Sequence, residues 1–238
     1  MRRLVVSPPE TAPGADRALG RLAGALEQLA GAQGAWPPHP PAMRRRLVVD
    51  ESTEGGLDDG IARADALADA GCDLLVAGAD LDPVPGLVVL AALLDLEPVQ
   101  AVGTATGPSW TGQVTGVRDG LRAARRHLGD PEALLTALGS APLAVLTGAL
   151  AQAAVRRTPV VLDGSAVTAA AAVLADRLAP GAARWALAGQ VPPSPAARKG
   201  LAGLGLTGLL DLGLAVPAGA DLAADLLVAA IALVDGET

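Results

Sequence analysis

The chain has 238 residues, 51% of them hydrophobic, and a formal net charge of −7. That length suits one sizeable core with a small appended unit, and leaves two full domains cramped. The apolar content speaks against disorder, and the acidic balance, with no Phe, no Tyr and three Trp, speaks against the charge and stacking rings that nucleic-acid recognition needs.

In chain order, Met1-Arg2-Arg3 and Leu4-Val5-Val6 begin like an export signal, but the apolar run stops at Ser7-Pro8-Pro9, too short for the core of one. A cytoplasmic protein is therefore expected. Residues 15–33 place Leu19, Leu22, Leu26 and Leu29 at steps of three and four, which makes one leucine stripe on an amphipathic helix. After Gly31 and Gly34, Trp36-Pro37-Pro38-His39-Pro40-Pro41 can continue neither helix nor sheet, because proline removes donors and fixes the backbone. Residues 1–43 are thus expected to form a helix and a Pro-rich linker, part of a small helical subdomain. Residues 44–238 are expected to form an α/β core with a C-terminal helix.

From Leu47 onward, short apolar runs alternate with helical segments, the pattern of a parallel sheet with crossover helices. Strands are predicted at 47–49, 74–77, 99–102, 160–162 and 185–187. Helices are predicted at 57–70, 86–94, 113–128, 143–156, 166–178, 195–203 and 220–234. The apolar run from Leu226 to Val234 is far shorter than the roughly 20 residues that span a bilayer.

A doubly wound parallel sheet binds ligands outside the carboxyl ends of its strands, so the loops after the predicted strands carry the candidate chemistry. Asp50-Glu51-Ser52-Thr53-Glu54 offers three carboxylates, either as metal ligand, base or ribose acceptor, or as a solvated turn capping the next helix. Gly78-Ala79-Asp80-Leu81-Asp82-Pro83-Val84-Pro85-Gly86 is unfit for cradling phosphate, since its acids repel the anion and its prolines remove amides. Gly103-Thr104-Ala105-Thr106-Gly107 is compatible with a phosphate or ribose passing close to the backbone, or is an ordinary tight loop. Asp163-Gly164 follows a strand and precedes Ser165, a natural helix cap. Asp163 either meets a ligand or holds its own turn by accepting amides. The substrate-binding candidates are accordingly Gly103, Thr104, Thr106, Gly107, Asp163 and Gly164.

His39 and His127 have no spaced partners, so no zinc site or Ser/His/Asp triad can be assembled, and neither a metal nor a cofactor is expected. The lone Cys72 reads as a small buried hydrophobe. Arg122, Arg125 and Arg126 read as a solvated helix face.

The segment from Gly60 to Leu75, GIARADALADAGCDLL, resembles the corresponding stretch of nicotinate-nucleotide:dimethylbenzimidazole phosphoribosyltransferases. So does Arg157-Thr158-Pro159-Val160-Val161-Leu162-Asp163-Gly164 with the Ala-rich helix after it. Leu204-Gly205-Leu206 through Leu209-Leu210-Asp211-Leu212-Gly213-Leu214 is similar to the family's GLxPLLDLGMRLGEG stretch, and Leu19-Gly20-Arg21-Leu22 through Leu29-Ala30 to its GSLGRLEELA helix. Order and spacing agree from about residue 57 to the C-terminus. The resemblance implies a Rossmann-like doubly wound parallel sheet, a small helical subdomain built from the chain ends, and a homodimer. It also implies a glycosyltransferase reaction of cobalamin biosynthesis, in which phosphoribose passes from nicotinate mononucleotide to a benzimidazole.

The departures from the family lie at its chemical motifs. Its Glu-Met-Gly-Ile-Gly-Asn-Thr-Thr loop is replaced by Ala79 to Gly86, its Gly-Gly-Phe-Glu by Gly139-Ser140-Ala141-Pro142, and its His-Val-Ser-x-Glu-Pro-Gly-His by Gln190 to Ala197. Its late Met-Ala-Thr-Phe-x-Glu, which carries the general base, finds no counterpart before Asp235-Gly236-Glu237-Thr238, and its Ala-Gly-Asp-His-Gly segment is replaced by the proline linker. The expected function is that of a catalytically degenerate relative, a pseudoenzyme that binds a nucleotide or benzimidazole or a partner such as a full-length relative. The alternative is an active phosphoribosyltransferase with relocated groups such as Glu51, Glu54, Asp163 or Glu237.

Overall fold

In the computed structural model, which describes residues 4–7, 19–104 and 108–235, the chain builds one parallel sheet from its short apolar runs. The elements in order are α1 (Arg21–Gln33), β1 (Arg44–Asp50), α2 (Leu57–Asp69), β2 (Leu74–Asp80), α3 (Val84–Leu94), α4 (Pro98–Val102), α5 (Pro108–Ala124), α6 (Pro131–Leu138), α7 (Ala141–Val155), β3 (Val160–Leu162), α8 (Ala166–Leu178), β4 (Ala186–Ala188), α9 (Pro195–Gly203) and α10 (Ala218–Asp235). The four strands lie in the order β1-β2-β3-β4, with Arg44 beside Leu74, Leu75 beside Val160, and Val160 beside Ala186.

Strand side chains alternate between faces, and this alternation sorts the core into two layers. Leu47, Val49, Leu75, Ala77, Val160, Leu162, Ala186 and Ala188 face a large cluster that includes residues of α2, α3, α5, α7, α8 and α9. Leu74, Val76, Val161 and Leu187 face the opposite way, onto α1 and α10. The expected α/β fold with helices on both faces is what forms. Strand order does not reverse among the four strands, so the helices of the second face come from the two ends of the chain. The leucine stripe is used here: Leu26 and Leu29 are fully buried in the cluster that α1 shares with α10 and the sheet.

With almost no aromatics, the core is filled by Ala, Leu and Val, which allows helix backbones to approach closely. The α2–α7 contact shows how closely. A Cβ on Gly60 would overlap the Val145 carbonyl oxygen, and one on Gly148 would overlap the Leu57 carbonyl oxygen.

Three segments differ from expectation. Residues 99–102 form helix α4 and not a strand: Pro98 stands at its first turn, Glu97 N donates to Gln100 Oε1 (3.1 Å), and Val99 is exposed. A run of four residues carries too little periodicity to choose between helix and strand, and proline at the helix start settles it. β1 begins at Arg44, three residues earlier than predicted, because Arg44 and Arg46 point across the edge strand to Asp225 (2.5 Å) and Asp221 (2.8 Å) of α10. The predicted helix 113–128 forms as α5, with its bounds shifted toward the N-terminus to Pro108–Ala124, and α6 is an additional helix that the periodicity does not predict, which Asp130 caps by accepting from Glu132 N (3.0 Å) and Ala133 N (3.1 Å).

Alanine is the better helix former by about 1 kcal/mol, yet Gly60→Ala is expected to lower stability by about 1–3 kcal/mol by overpacking α2 against α7. Urea unfolding reads the difference, and a variant as stable as the parent would contradict the close contact.

Candidate functional site

At the carboxyl ends of β2, β3 and β4, the side chain that organises the chain is Asp163. It is fully buried. Its Oδ2 accepts from Ala79 N (2.8 Å), at the end of β2, and its Oδ1 accepts from Ser165 N (2.7 Å), at the start of α8. Ser165 Oγ in turn accepts from Thr168 N (3.1 Å), completing the cap of α8. Burial pushes the Asp163 carboxyl above its ordinary value, and the hydrogen bonds from Ser165, Ala79 and Thr168 work against that shift.

Glycine is required on both sides of this carboxylate. Gly164 has φ +82°, and a Cβ there would lie 2.8 Å from the Gln190 carbonyl oxygen. A Cβ on Gly78 would lie 2.9 Å from Asp163 Oδ2. Gln190, which stands out in the sequence only as a departure from a family motif, is the second organising residue. Its Nε2 donates to the carbonyls of Asp163 and Leu214 (both 2.9 Å), and its Oε1 accepts from Leu214 N (3.1 Å). Val191 N donates to Leu210 O (2.7 Å) beside it. A buried glutamine amide with both ends engaged thus ties the β3 and β4 ends to the segment that leads into α10.

Of the other candidates, Gly103 follows α4. Trp110 Nε1 donates to its carbonyl (2.7 Å), and a Cβ on it would lie 2.8 Å from Pro195 Cδ at the start of α9. Thr104 next to it is exposed. Thr106 and Gly107 lie outside the described residues. Both candidate groups therefore border one segment: Asp163 and Gly164 meet it at Gln190, and Gly103 meets it at Pro195.

The acids after β1 hold turns. Asp50 Oδ1 accepts from Ser52 N (3.0 Å), Ser52 Oγ (2.7 Å) and Thr53 Oγ1 (3.3 Å), and the hydrogen bonds from Ser52 hold its carboxyl below the usual range. Glu51 Oε1 accepts from Asp82 N (3.0 Å), and Asp82 Oδ1 accepts from Val84 N (2.9 Å) to start α3. Cys72 is buried, and that burial pushes its thiol up. Among the described residues, no buried side-chain nitrogen or oxygen lacks a hydrogen-bond partner, and no three His, Cys, Asp or Glu stand close enough to hold a metal. No helix among them is long and apolar enough to cross a membrane.

Replacing Asp163 by Ala leaves the buried Ala79 amide and the part-buried Ser165 amide without their acceptor and is expected to cost about 2–4 kcal/mol in denaturant unfolding. The pH dependence has a definite sign. The folded value lies above the ordinary 3.8, so the folded chain binds this proton more tightly than the unfolded chain does. That contribution to stability is present at low pH and is lost as pH rises from about 3.8 through the folded value. Asp163→Asn, neutral throughout, is expected to lack this loss when stability is followed from acid to neutral pH. An unchanged slope would contradict the burial effect.

The chain matches the phosphoribosyltransferase family model over residues 41–238. It is 48% identical over 192 residues to the nicotinate-nucleotide–dimethylbenzimidazole phosphoribosyltransferase of Mycobacterium avium (strain 104), covering 78% of this chain and 55% of that one. It is 44% identical over 186 residues to the enzyme of the same name from Mycobacterium tuberculosis (strain ATCC 25618 / H37Rv), covering 76% and 51%. The chain thus spans about half the length of the curated relatives it matches. In fold it is similar to the crystal structure of CobT from Thermus thermophilus, with TM-score 0.78, 23% identity, and 94% of this chain and 93% of that chain covered. From the match over residues 41–238, the chain belongs to the nicotinate-nucleotide–dimethylbenzimidazole phosphoribosyltransferase family.

Proposed function

We propose that the chain keeps the family's scaffold without its chemistry and serves as a non-catalytic binding or partner protein in cobamide metabolism, cytoplasmic and homodimeric. Its ligands are expected among nucleotides and benzimidazoles, approached through the loops that carry Gly103, Thr104, Thr106, Gly107, Asp163 and Gly164, with Asp163 itself holding the strand ends in place.

The observation that carries this reading is the start of α3. An anion site at a helix N-terminus needs free backbone amides. Here Val84 N is taken by Asp82 Oδ1, Pro85 has no amide hydrogen, Leu87 N donates to Pro83 O (2.9 Å), and Gly86 is packed so closely that a Cβ would lie 2.5 Å from Ala166 of α8. Asp80 and Asp82 add negative charge where a phosphate would approach. Asp163 supports the same reading, because both of its oxygens already accept backbone amides.

The alternative, an active transferase with relocated groups, is favoured by the 48% identity to an enzyme over most of the chain. One assay separates the two. The whole chain is incubated with nicotinate mononucleotide and dimethylbenzimidazole, and free nicotinate is measured. The non-catalytic reading expects no release above a protein-free control. Release that co-purifies with the chain and saturates with both substrates would establish the alternative.

A further inference from the structure

Residues 4–7 lie along the outer face of the α2–α7 pair without joining the sheet. Their side chains alternate as in an extended strand: Leu4 and Val6 pack against the core, while Val5 is 69% exposed. Trp185 Nε1 donates to the Ser7 carbonyl (2.9 Å), and Val6 sits over Gly181, whose missing Cβ would lie 3.9 Å from Val6 Cγ1.

Leu4 stands at the middle of a groove. On one side is a cavity of about 630 Å³ that reaches Leu135 and Leu178, and on the other a cavity of about 590 Å³ that reaches Val155. Asp58 and Ile61 border both, so the two cavities are halves of one trough on either side of the Leu4 side chain. Polar and apolar groups line the larger half alike, with Asp58, Asp59 and Glu132 as its charged residues, whereas the smaller half is mainly apolar and carries the paired Asp65 and Arg156.

We propose that this trough is a binding groove for an extended peptide segment, which residues 4–7 occupy in cis. The chemistry it selects is apolar side chains at alternate positions, a backbone carbonyl placed for the Trp185 indole, and basic residues ahead of the apolar run. The chain's own sequence has that order, Arg2-Arg3 before Leu4-Val5-Val6. Two half-buried apolar side chains and the Ser7–Trp185 hydrogen bond hold the segment, far less than holds the helices beneath it, so a competing segment can displace it without unfolding them. The groove includes none of the nucleotide candidates, although Gly139, Ser140 and Ala141, which stand where the family has Gly-Gly-Phe-Glu, line its larger half; its test reads peptide binding alone.

The test uses the full chain carrying Leu4→Asp and Val6→Asp, which detaches the cis segment, and a fluorescent peptide with the sequence of residues 2–8. The variant is expected to bind the peptide at least about tenfold more tightly than the parent, in which the tethered segment competes at high effective concentration. A peptide with Asp at both apolar positions is expected to bind neither protein. Equal binding by variant and parent, or no binding by a folded variant, would overturn the proposal. If the double variant does not fold, Val6→Ser alone carries the same comparison, with the same two overturning results.

Discussion

A buried carboxylate with no cation beside it must be held by hydrogen-bond donors, and the whole carboxyl edge of this sheet is arranged around supplying them to Asp163. β2 contributes the Ala79 amide and α8 the Ser165 amide. The close approach this requires excludes a side chain at Gly78 and Gly164. Gln190 then extends the network from the Asp163 carbonyl to Leu214, and Gly219 leaves room for its amide, since a Cβ there would lie 2.5 Å from it. One buried carboxyl group therefore fixes how β2, β3, β4 and the entry to α10 meet. The same commitment removes Asp163 from free acid–base use, because ligand contact would compete with the bonds that hold the strands in place.

How much of this is legible in the sequence depends on how local the signal is. β3 and α8 are readable because Val160-Val161-Leu162, Asp163, Gly164 and Ser165 state strand, turn and cap in consecutive residues. β2 is readable as an apolar run, although Asp80 at its end is not. α4 reads as a strand because its fate turns on a proline start and on burial of Ala101, neither of which the apolar pattern expresses. α6 escapes the periodicity although its start signal, Asp130-Pro131-Glu132, and its stop, Gly139 at φ +62°, are both present. β1 is cut short because arginines read as solvent-facing, and their partners on α10 lie about 180 positions away.

The site is legible in part. Asp163 and Gly164 do stand at a strand end as expected, and both roles of Asp163 stay open until its donors can be seen. Gln190 has no local sequence signal of its importance, since its partners are 24 and 27 positions distant. Gly103 is a candidate because it follows an expected strand that is in fact a helix, yet it still lies beside the β4–α9 connection. Fold is set by the apolar alternation, whereas ligand chemistry is set by a few loop residues. A chain can thus match the fold of Thermus thermophilus CobT at 23% identity while its β2–α3 turn carries acids and prolines.

The proposed role turns on how little the start of α3 offers a phosphate: Val84 N and Leu87 N are taken, Pro85 has no amide hydrogen, and Asp80 and Asp82 stand beside them. Soaking a crystal of the protein with nicotinate mononucleotide tests it most directly. The proposed role predicts that no phosphate is ordered against residues 80–86; a phosphate seated there, on amides released from Asp82 and Pro83, would contradict it.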